Sequence, residues 1–227
     1  MVPERAARYL PLLLLALLAA CVSPPAAGDR SGLTSGAGVG AKDTAAEKTL
    51  SQGAPAPGEK PGSSATTETA ILAGGCFWGM EDLLRKIPGV IETEVGYAGG
   101  LTKSPTYHDV KTGSTGHAEA VRVVFDPARL TYAELLERWF FRMHDPTTVD
   151  RQGNDVGSQY RSAIFITSPA HRKVAEEVKK RVDESGKWGE PIVTEIVEAG
   201  PFTPAEGYHQ DYLEKNPGGY TCHFMRD

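Results

Sequence analysis

The stretch Ala70-Ile71-Leu72-Ala73-Gly74-Gly75-Cys76-Phe77-Trp78-Gly79-Met80-Glu81 joins a short apolar run to the start of an amphipathic segment. Ala70–Ala73 reads as a buried strand. Gly74 and Gly75 permit a tight turn and the close approach of another molecule. Phe77, Met80, Leu83, Leu84 and Ile87 then recur at helical spacing, so the pattern predicts a helix that starts at once. Cys76 is thereby expected in the turn at a helix N-terminus. Unpaired N–H groups and the positive end of the helix dipole point at such a position and push a thiol toward thiolate. Phe77 and Trp78 put aromatic surface beside the sulfur. An inert buried cysteine is the competing reading, since free cysteines are among the most buried residues.

Reading on from that turn, Pro88 and Gly89 end the helix, and Val90–Tyr97 is rich in strand formers. Gly96-Tyr97-Ala98-Gly99-Gly100 lacks the spacing and context of a dinucleotide-binding fingerprint, so its glycines are read as backbone conformation. Leu101–Gly116 is a loop carrying Tyr107 and His108. His117–Phe125 alternates as a strand, with Glu119, Val121, Val123 and Phe125 on one face. A carboxyl on the apolar side of a strand has its charged form disfavoured, which makes Glu119 a candidate general acid. The alternative is a strand-end glutamate that reaches water or pairs with Arg122.

Thr131-x-x-Glu134 is a capping box, and Tyr132, Leu135, Leu136, Trp139, Phe140 and Met143 form the buried face of a second helix. His144-Asp145-Pro146 stops it. Thr147–Gln159 is a long polar segment, of a length that in a compact domain is functional or disordered. Tyr160–Thr167 reads as a strand, and Ser168-Pro169 starts a helix with proline at its first position. Ile192–Val197 reads as a last strand, followed by an aromatic, Gly- and Pro-rich tail, Gly200–Asp227. The order β-α-β-β-α-β, then α-β, predicts an α+β fold. Its form is a two-layer sandwich with a ferredoxin-like split βαβ core and an irregular C-terminal tail.

The N-terminal third is of another kind. Residues 1–20 have a basic start, Arg5 and Arg8, an apolar run from Leu10 to Leu18 and small residues before Cys21. This is a signal pattern, shorter than a membrane-spanning helix of about 20 apolar residues. Leu18-Ala19-Ala20-Cys21 resembles the bacterial lipoprotein signal, which makes Cys21 the expected lipid attachment site. An ordinary secretory signal with an incidental cysteine is the alternative. Residues 21–67 are rich in Gly, Ala, Ser, Pro and Thr without apolar periodicity, and are expected to form a disordered tether. Residues 68–227 suit one domain. Losing the signal with Glu4, Arg5 and Arg8 takes the formal charge from −5 to −6. That balance offers no electrostatic reason to expect nucleic acid.

The chain has three cysteines, Cys21, Cys76 and Cys222, and no C-x-x-C pair. A zinc site or a thioredoxin-type motif is therefore not expected, and no cluster points to a metal or an organic cofactor. In an exported protein the remaining pair could be a structural disulfide or a redox pair, and composition leaves both open.

Several motifs together resemble the A-type peptide-methionine (S)-S-oxide reductases. They are Gly75-Cys76-Phe77-Trp78-Gly79 with Glu81; Gly113-x-Thr115-Gly116-His117-Ala118-Glu119; and His144-Asp145-Pro146-Thr147. To these are added Gln152-Gly153-Asn154-Asp155-x-Gly157-x-Gln159-Tyr160-Arg161-Ser162 and His209-Gln210-x-Tyr212 before Asn216-Pro217. The resemblance spans residues 68–227. It implies Cys76 as nucleophile and Glu119 as general acid. It also implies Tyr107, Tyr160 and Asp155 around the sulfoxide oxygen, with Asp155 acting through water or positioning, and Phe77 and Trp78 as the wall for the substrate methyl. Cys222 stands where many members carry a resolving cysteine. Attack on the sulfoxide would leave a Cys76 sulfenic acid, which Cys222 converts to a disulfide that an external dithiol must reopen.

The resulting expectation is a monomeric, lipid-anchored envelope enzyme. It would reduce methionine-(S)-sulfoxide, free or in oxidised proteins, with a thioredoxin-like or other dithiol reductant and no bound cofactor. The leader departs from the many cytosolic relatives and leaves the reductant open. A peroxide-reducing thiol enzyme and a non-catalytic envelope protein with a structural Cys76–Cys222 bond are the rival readings.

Overall fold

The computed structural model describes residues 66–227. The signal at 1–20, Cys21 and the tether as far as residue 65 lie outside the described residues. Among those described, no helix is long and apolar enough to cross a membrane.

Strand β1 (Glu68–Gly74) leads through Gly75 and Cys76 into helix α1 (Phe77–Leu84). Cys76 is the N-cap of α1, as its sequence position required, but its side chain caps nothing. The helix ends one turn earlier than its apolar spacing suggests. Ile87 is buried in the turn beyond it, before Pro88, because a residue preceding proline is disfavoured in helical conformation. Strand β2 (Val90–Ala98) follows. Helix α2 (Tyr107–Val110) interrupts the expected loop, closed by a capping box between Thr106 and Asp109. Strand β3 (Ala118–Phe125) precedes the second long helical stretch. That stretch is α3 (Tyr132–Glu134), a π-helical segment (Leu135–Phe140) and α4 (Phe141–Met143), and it begins with the Thr131–Glu134 capping box.

The polar segment after His144 folds into a small hairpin, β4 (Arg151–Gln152) with β5 (Asp155–Val156), and a 3-10 turn (Ser158–Tyr160). Strand β6 (Ser162–Ile166), helix α5 (Pro169–Glu184) and strand β7 (Glu195–Glu198) form a crossover that makes β6 and β7 parallel. The tail is less irregular than expected, since it carries β8 (Thr203–Pro204) and α6 (Tyr212–Lys215).

The six-stranded sheet runs β7-β6-β1-β3-β2-β8. Its central four strands, β6-β1-β3-β2, are antiparallel throughout, which is the order of a split βαβ unit. The α+β sandwich expected from the element order is therefore the observed architecture. Strand alternation divides the sheet into two faces. Ala70, Leu72, Val121, Val123 and Phe125 pack with α1, the π-helical segment and α5 in the main core. Ile71, Ala73, Ala98, Ala118, Ala120, Ala163 and Phe165 form a thinner cluster on the other side, covered by Val197, Ala199 and Phe202. The β1–α1 turn thus stands at the open end of the central strand.

Candidate active site

Two buried side chains hold the turn from below. Gly74 sits against His144, so close that a Cβ there would come within 2.8 Å of the ring. His144 bonds the carbonyl of Phe140 through Nδ1 at 2.8 Å and Ser162 Oγ through Nε2 at 2.7 Å. Burial pushes its pKa down to about 3, so the ring is neutral and Nδ1 carries the proton, because a carbonyl can only accept. Ser162 faces Gly74 across the β1–β6 pairing and is bonded in turn to Thr194 Oγ1 at 2.7 Å. Gly75 has φ +107°, a conformation that glycine adopts without cost.

Glu119 comes from β3, opposite Tyr97 of β2, and is 2% exposed. Its Oε2 accepts the backbone N–H of Phe77 at 3.1 Å, so the first residue of α1 reaches the carboxyl. Burial nevertheless dominates and, with the charge of Asp155 adding to it, pushes the Glu119 pKa up to about 8. The pairing with Arg122 does not occur; Arg122 bonds Glu94 instead. A cavity of about 160 Å³ opens beside these groups, lined by Cys76, Phe77, Trp78, Tyr107, Glu119, Asp155, Tyr160 and Tyr220.

One expectation is corrected. The helix N-terminus does not leave Cys76 as a thiolate. Burial pushes the thiol well above its ordinary value, the nearby Glu119 carboxylate adds to this, and the backbone N–H of Trp78 offsets only part. A half-turn of unpaired N–H groups is a weaker influence here than removal from water beside another acid. Burial likewise pushes the Tyr107 and Tyr160 hydroxyls up, with Glu119 second in effect. They stay protonated, as donors, at neutral pH.

Cys222 enters from the tail. Its Sγ lies 3.4 Å from Asp155 Oδ2, and the backbone N–H of Cys76 also faces this sulfur. Burial and then Asp155 push its pKa up to about 11. Cys76 and Cys222 are both free thiols. The other oxygen of Asp155 accepts the Tyr220 hydroxyl at 3.0 Å. A single carboxylate thus links the hairpin strand β5 to two residues of the tail.

The aromatic wall is built from the tail as well. Trp78 stacks on Tyr212 with ring centroids 3.8 Å apart and donates from Nε1 to His209 Nδ1 at 3.1 Å. His209 also packs against Phe77 and Tyr107. Glu206 accepts the Tyr97 hydroxyl at 2.8 Å and the Tyr107 N–H at 2.9 Å, which fixes the start of α2 beneath the cavity. Glu81, 1% exposed, pairs with Arg85 at 2.9 Å and accepts the Asp211 N–H at 2.9 Å, tying α1 to the segment that leads into α6.

Seven residues singled out in the sequence, Cys76, Phe77, Trp78, Tyr107, Glu119, Asp155 and Tyr160, meet in one cavity. Cys222 joins them through Asp155. Sequence reading assigned no role to Tyr220, Glu206 or His223. Tyr220 stands two residues before Cys222, which is the one local signal that could have marked it. Among the described residues no cluster of three or more His, Cys, Asp or Glu could hold a metal ion. A separate hollow of about 200 Å³ between Phe141, Trp188 and Arg226 contains none of these groups.

The family model described as "Peptide methionine sulfoxide reductase" matches residues 68–227. "Peptide methionine sulfoxide reductase MsrA 1" of Mesorhizobium japonicum is 58% identical over 161 residues, covering 71% of this chain and 91% of that protein. Among solved structures, Mxr1 from Saccharomyces cerevisiae in reduced form superposes with a TM-score of 0.68 at 40% identity, covering 73% of this chain and 95% of the yeast chain. The same yeast protein in complex with Trx2 gives a TM-score of 0.50 at 29% identity, covering 73% and 94%.

Proposed function

The chain belongs to the peptide methionine sulfoxide reductase family, and we propose that it reduces methionine-(S)-sulfoxide, free or in proteins, with Cys76 as nucleophile and Glu119 as acid. The observation that carries this reading is the shared cavity. A carboxyl kept protonated to about pH 8 and a protected thiol line the same space, joined through the Phe77 N–H.

A sulfoxide oxygen is a poor leaving group until it is protonated or strongly hydrogen-bonded. Glu119 gives its proton to that oxygen, while the Tyr107 and Tyr160 hydroxyls donate hydrogen bonds to it. Cys76 attacks the sulfur, its own proton replaces the one Glu119 gave up, and methionine departs. Oxygen is transferred, so Cys76 becomes a sulfenic acid while the substrate sulfur is reduced by two electrons. Phe77 and Trp78 supply apolar surface for the methyl group. Burial keeps the Cys76 thiol protonated in the resting site, so its proton passes to the Glu119 carboxylate as the sulfur attacks.

Cys222 then resolves the sulfenic acid as a Cys76–Cys222 disulfide, and a thioredoxin-like dithiol reopens it. Asp155 positions Cys222 and Tyr220. The yeast relative in complex with Trx2 supports a reductant of this type. The leader motif at residues 18–21 supports export and lipid attachment at Cys21, and hence repair of oxidised proteins at the cell envelope by a membrane-anchored enzyme.

The test is reduction of the two separated sulfoxide epimers by the protein with dithiothreitol, beside Cys76→Ser. Consumption of the S epimer alone, abolished by the substitution, is expected. Turnover of both epimers alike, or multiple turnovers by Cys76→Ser, would overturn the reading.

A further inference from the structure

The residue after Cys222 is built into the site rather than left in the tail. His223 is buried, and its Nε2 bonds the carbonyl of Gly74 at 2.8 Å. Burial holds the ring neutral, its pKa pushed down to about 4. A carbonyl only accepts, so Nε2 carries the proton and Nδ1 is left with a lone pair. That lone pair faces Cys222 Sγ at 3.5 Å. The His223 backbone N–H donates to Thr221 Oγ1 at 3.1 Å, which shapes the turn from the other side.

Two glycines of α1 and its approach leave room for this ring. A Cβ on Gly79 would fall 2.7 Å from His223 Nδ1, and one on Gly75 would fall 3.2 Å from Cε1. One imidazole therefore bridges the carbonyl two residues before Cys76 and the sulfur of Cys222. Asp155 faces that sulfur at 3.4 Å and the Cys76 N–H faces it as well. Three groups from three parts of the chain thus fix one thiol.

We propose that His223 is a positioning residue for disulfide formation: it fastens the Cys222 segment to the Gly74–Cys76 turn and aims the Cys222 sulfur at the Cys76 sulfur. The inference rests on the roles given to Cys76 and Cys222 above. In the step it serves, Cys222 Sγ attacks Cys76 Sγ and the S–S bond forms as the S–O bond breaks. The departing hydroxyl takes the Cys222 thiol proton and leaves as water. Each sulfur changes by one electron, Cys222 oxidised and Cys76 reduced. A thiol already fixed in place reacts without the loss of a search through tail conformations, and a misplacement of about 1 Å can cost on the order of a hundredfold in rate.

The full chain is compared with its H223L, H223N and H223Q variants in a single turnover without reductant. Methionine release, dimedone-trapped sulfenic acid and the loss of both thiols are followed separately. Glutamine carries an amide N–H to about the place of Nε2 and can bond Gly74; leucine has no donor, and asparagine is too short to reach. H223L and H223N are expected to release methionine, accumulate sulfenic acid and close the disulfide roughly tenfold to a hundredfold more slowly. H223Q is expected to recover most of the rate. H223N keeps the test open should H223L fail to fold. Disulfide closure at the unsubstituted rate in H223N, or equal slowing in H223Q and H223N, would overturn the role. Absence of methionine release from the unsubstituted chain would overturn the Cys76 reading as well, and that outcome shows itself without any substitution.

Discussion

The backbone N–H of Phe77 donates to Oε2 of Glu119 at 3.1 Å, which joins the first residue of the helix after Cys76 to a carboxyl in the middle of the sheet. One N–H is not enough to keep that carboxyl charged. Removal from water outweighs it, and the proton stays on Glu119 to about pH 8. The same bond fixes where the acid stands relative to the thiol.

Glu119→Gln keeps an acceptor for the Phe77 N–H but has no proton to give. The single-turnover rate of sulfoxide reduction is expected to fall by about 10²–10⁴-fold, with substrate binding far less affected. In the unsubstituted protein that rate should decline as pH rises through about 8. Rapid-quench measurement of methionine release from pH 6 to 10 checks both. A Gln variant with the unsubstituted rate would remove the acid role.

Stability should have a maximum near pH 6.5. The Glu119 pKa is raised on folding, so its contribution is complete below the ordinary carboxyl range and is lost as pH rises toward about 8. His144 and His223 have lowered values, about 3 and about 4, so their contribution is present above pH 6.5 and is lost as pH falls. Between 4.5 and 6.5, counting these three groups, two protons bound by the unfolded chain oppose one bound by folded Glu119, while His209, lowered, adds to the acid loss and Glu81, raised, opposes it. The net loss is about 1.4 kcal/mol per pH unit. Urea unfolding across pH 4.5–9 measures this, and Glu119→Gln should flatten the alkaline limb and steepen the acid limb, because its proton no longer offsets one of those taken up by the histidines. A stability that rises steadily from pH 6.5 to 9 would contradict the Glu119 shift.

Cys222→Ser should release about one methionine per protein and then stop when thioredoxin is the reductant. The first turnover should survive, because the cavity that holds Cys76 and Glu119 is complete without Cys222. Counting methionine against protein by chromatography decides it. Continued steady-state turnover with thioredoxin would mean that another group resolves the sulfenic acid.

Glu81→Ala would leave the Asp211 N–H without its buried acceptor and remove one of the three carboxylates around Arg85. Breaking a buried pair from one side costs about 3–5 kcal/mol, though Asp211 and Glu214 remain to share Arg85. A loss of about 2–4 kcal/mol in denaturant unfolding is expected. Trp78 fluorescence should change with it, since Tyr212 stacks on that indole just beyond Asp211. No change in stability would mean that α6 is held by other contacts.

Gly75→Ala places a Cβ 2.5 Å from Gln152 Cγ at a residue with φ +107°. Backbone strain of about 1–3 kcal/mol is expected, and the Gln152 side chain, which bonds the backbone of Asp145 at both ends of its amide, must move. Reduced melting temperature and slowed first-turnover reduction should appear together. Full activity at unchanged stability would show that this turn relaxes freely.

Period and punctuation alone determined five of the six strands of the sheet, all but β8 in the tail. Ala70–Ala73 ends in two glycines, Glu119 alternates with Val121 and Val123, and Thr131 caps a helix with Glu134. These are interactions between near neighbours, legible wherever the chain is read. The motifs likewise marked Cys76, Glu119, Tyr160 and Asp155, and the family resemblance they carry implied Tyr107. Tertiary structure decided what local reading could not reach. It set the protonation of Cys76, because burial beside Glu119 outweighs the helix end. It brought Tyr220, His223 and Cys222 of the tail against Asp155 and Gly74. Those pairs are separated by 65 to 149 residues along the chain, and no periodicity carries information across such a gap. Their meeting depends on the sheet order that brings β6 beside β1 and leaves one strand end open to the tail.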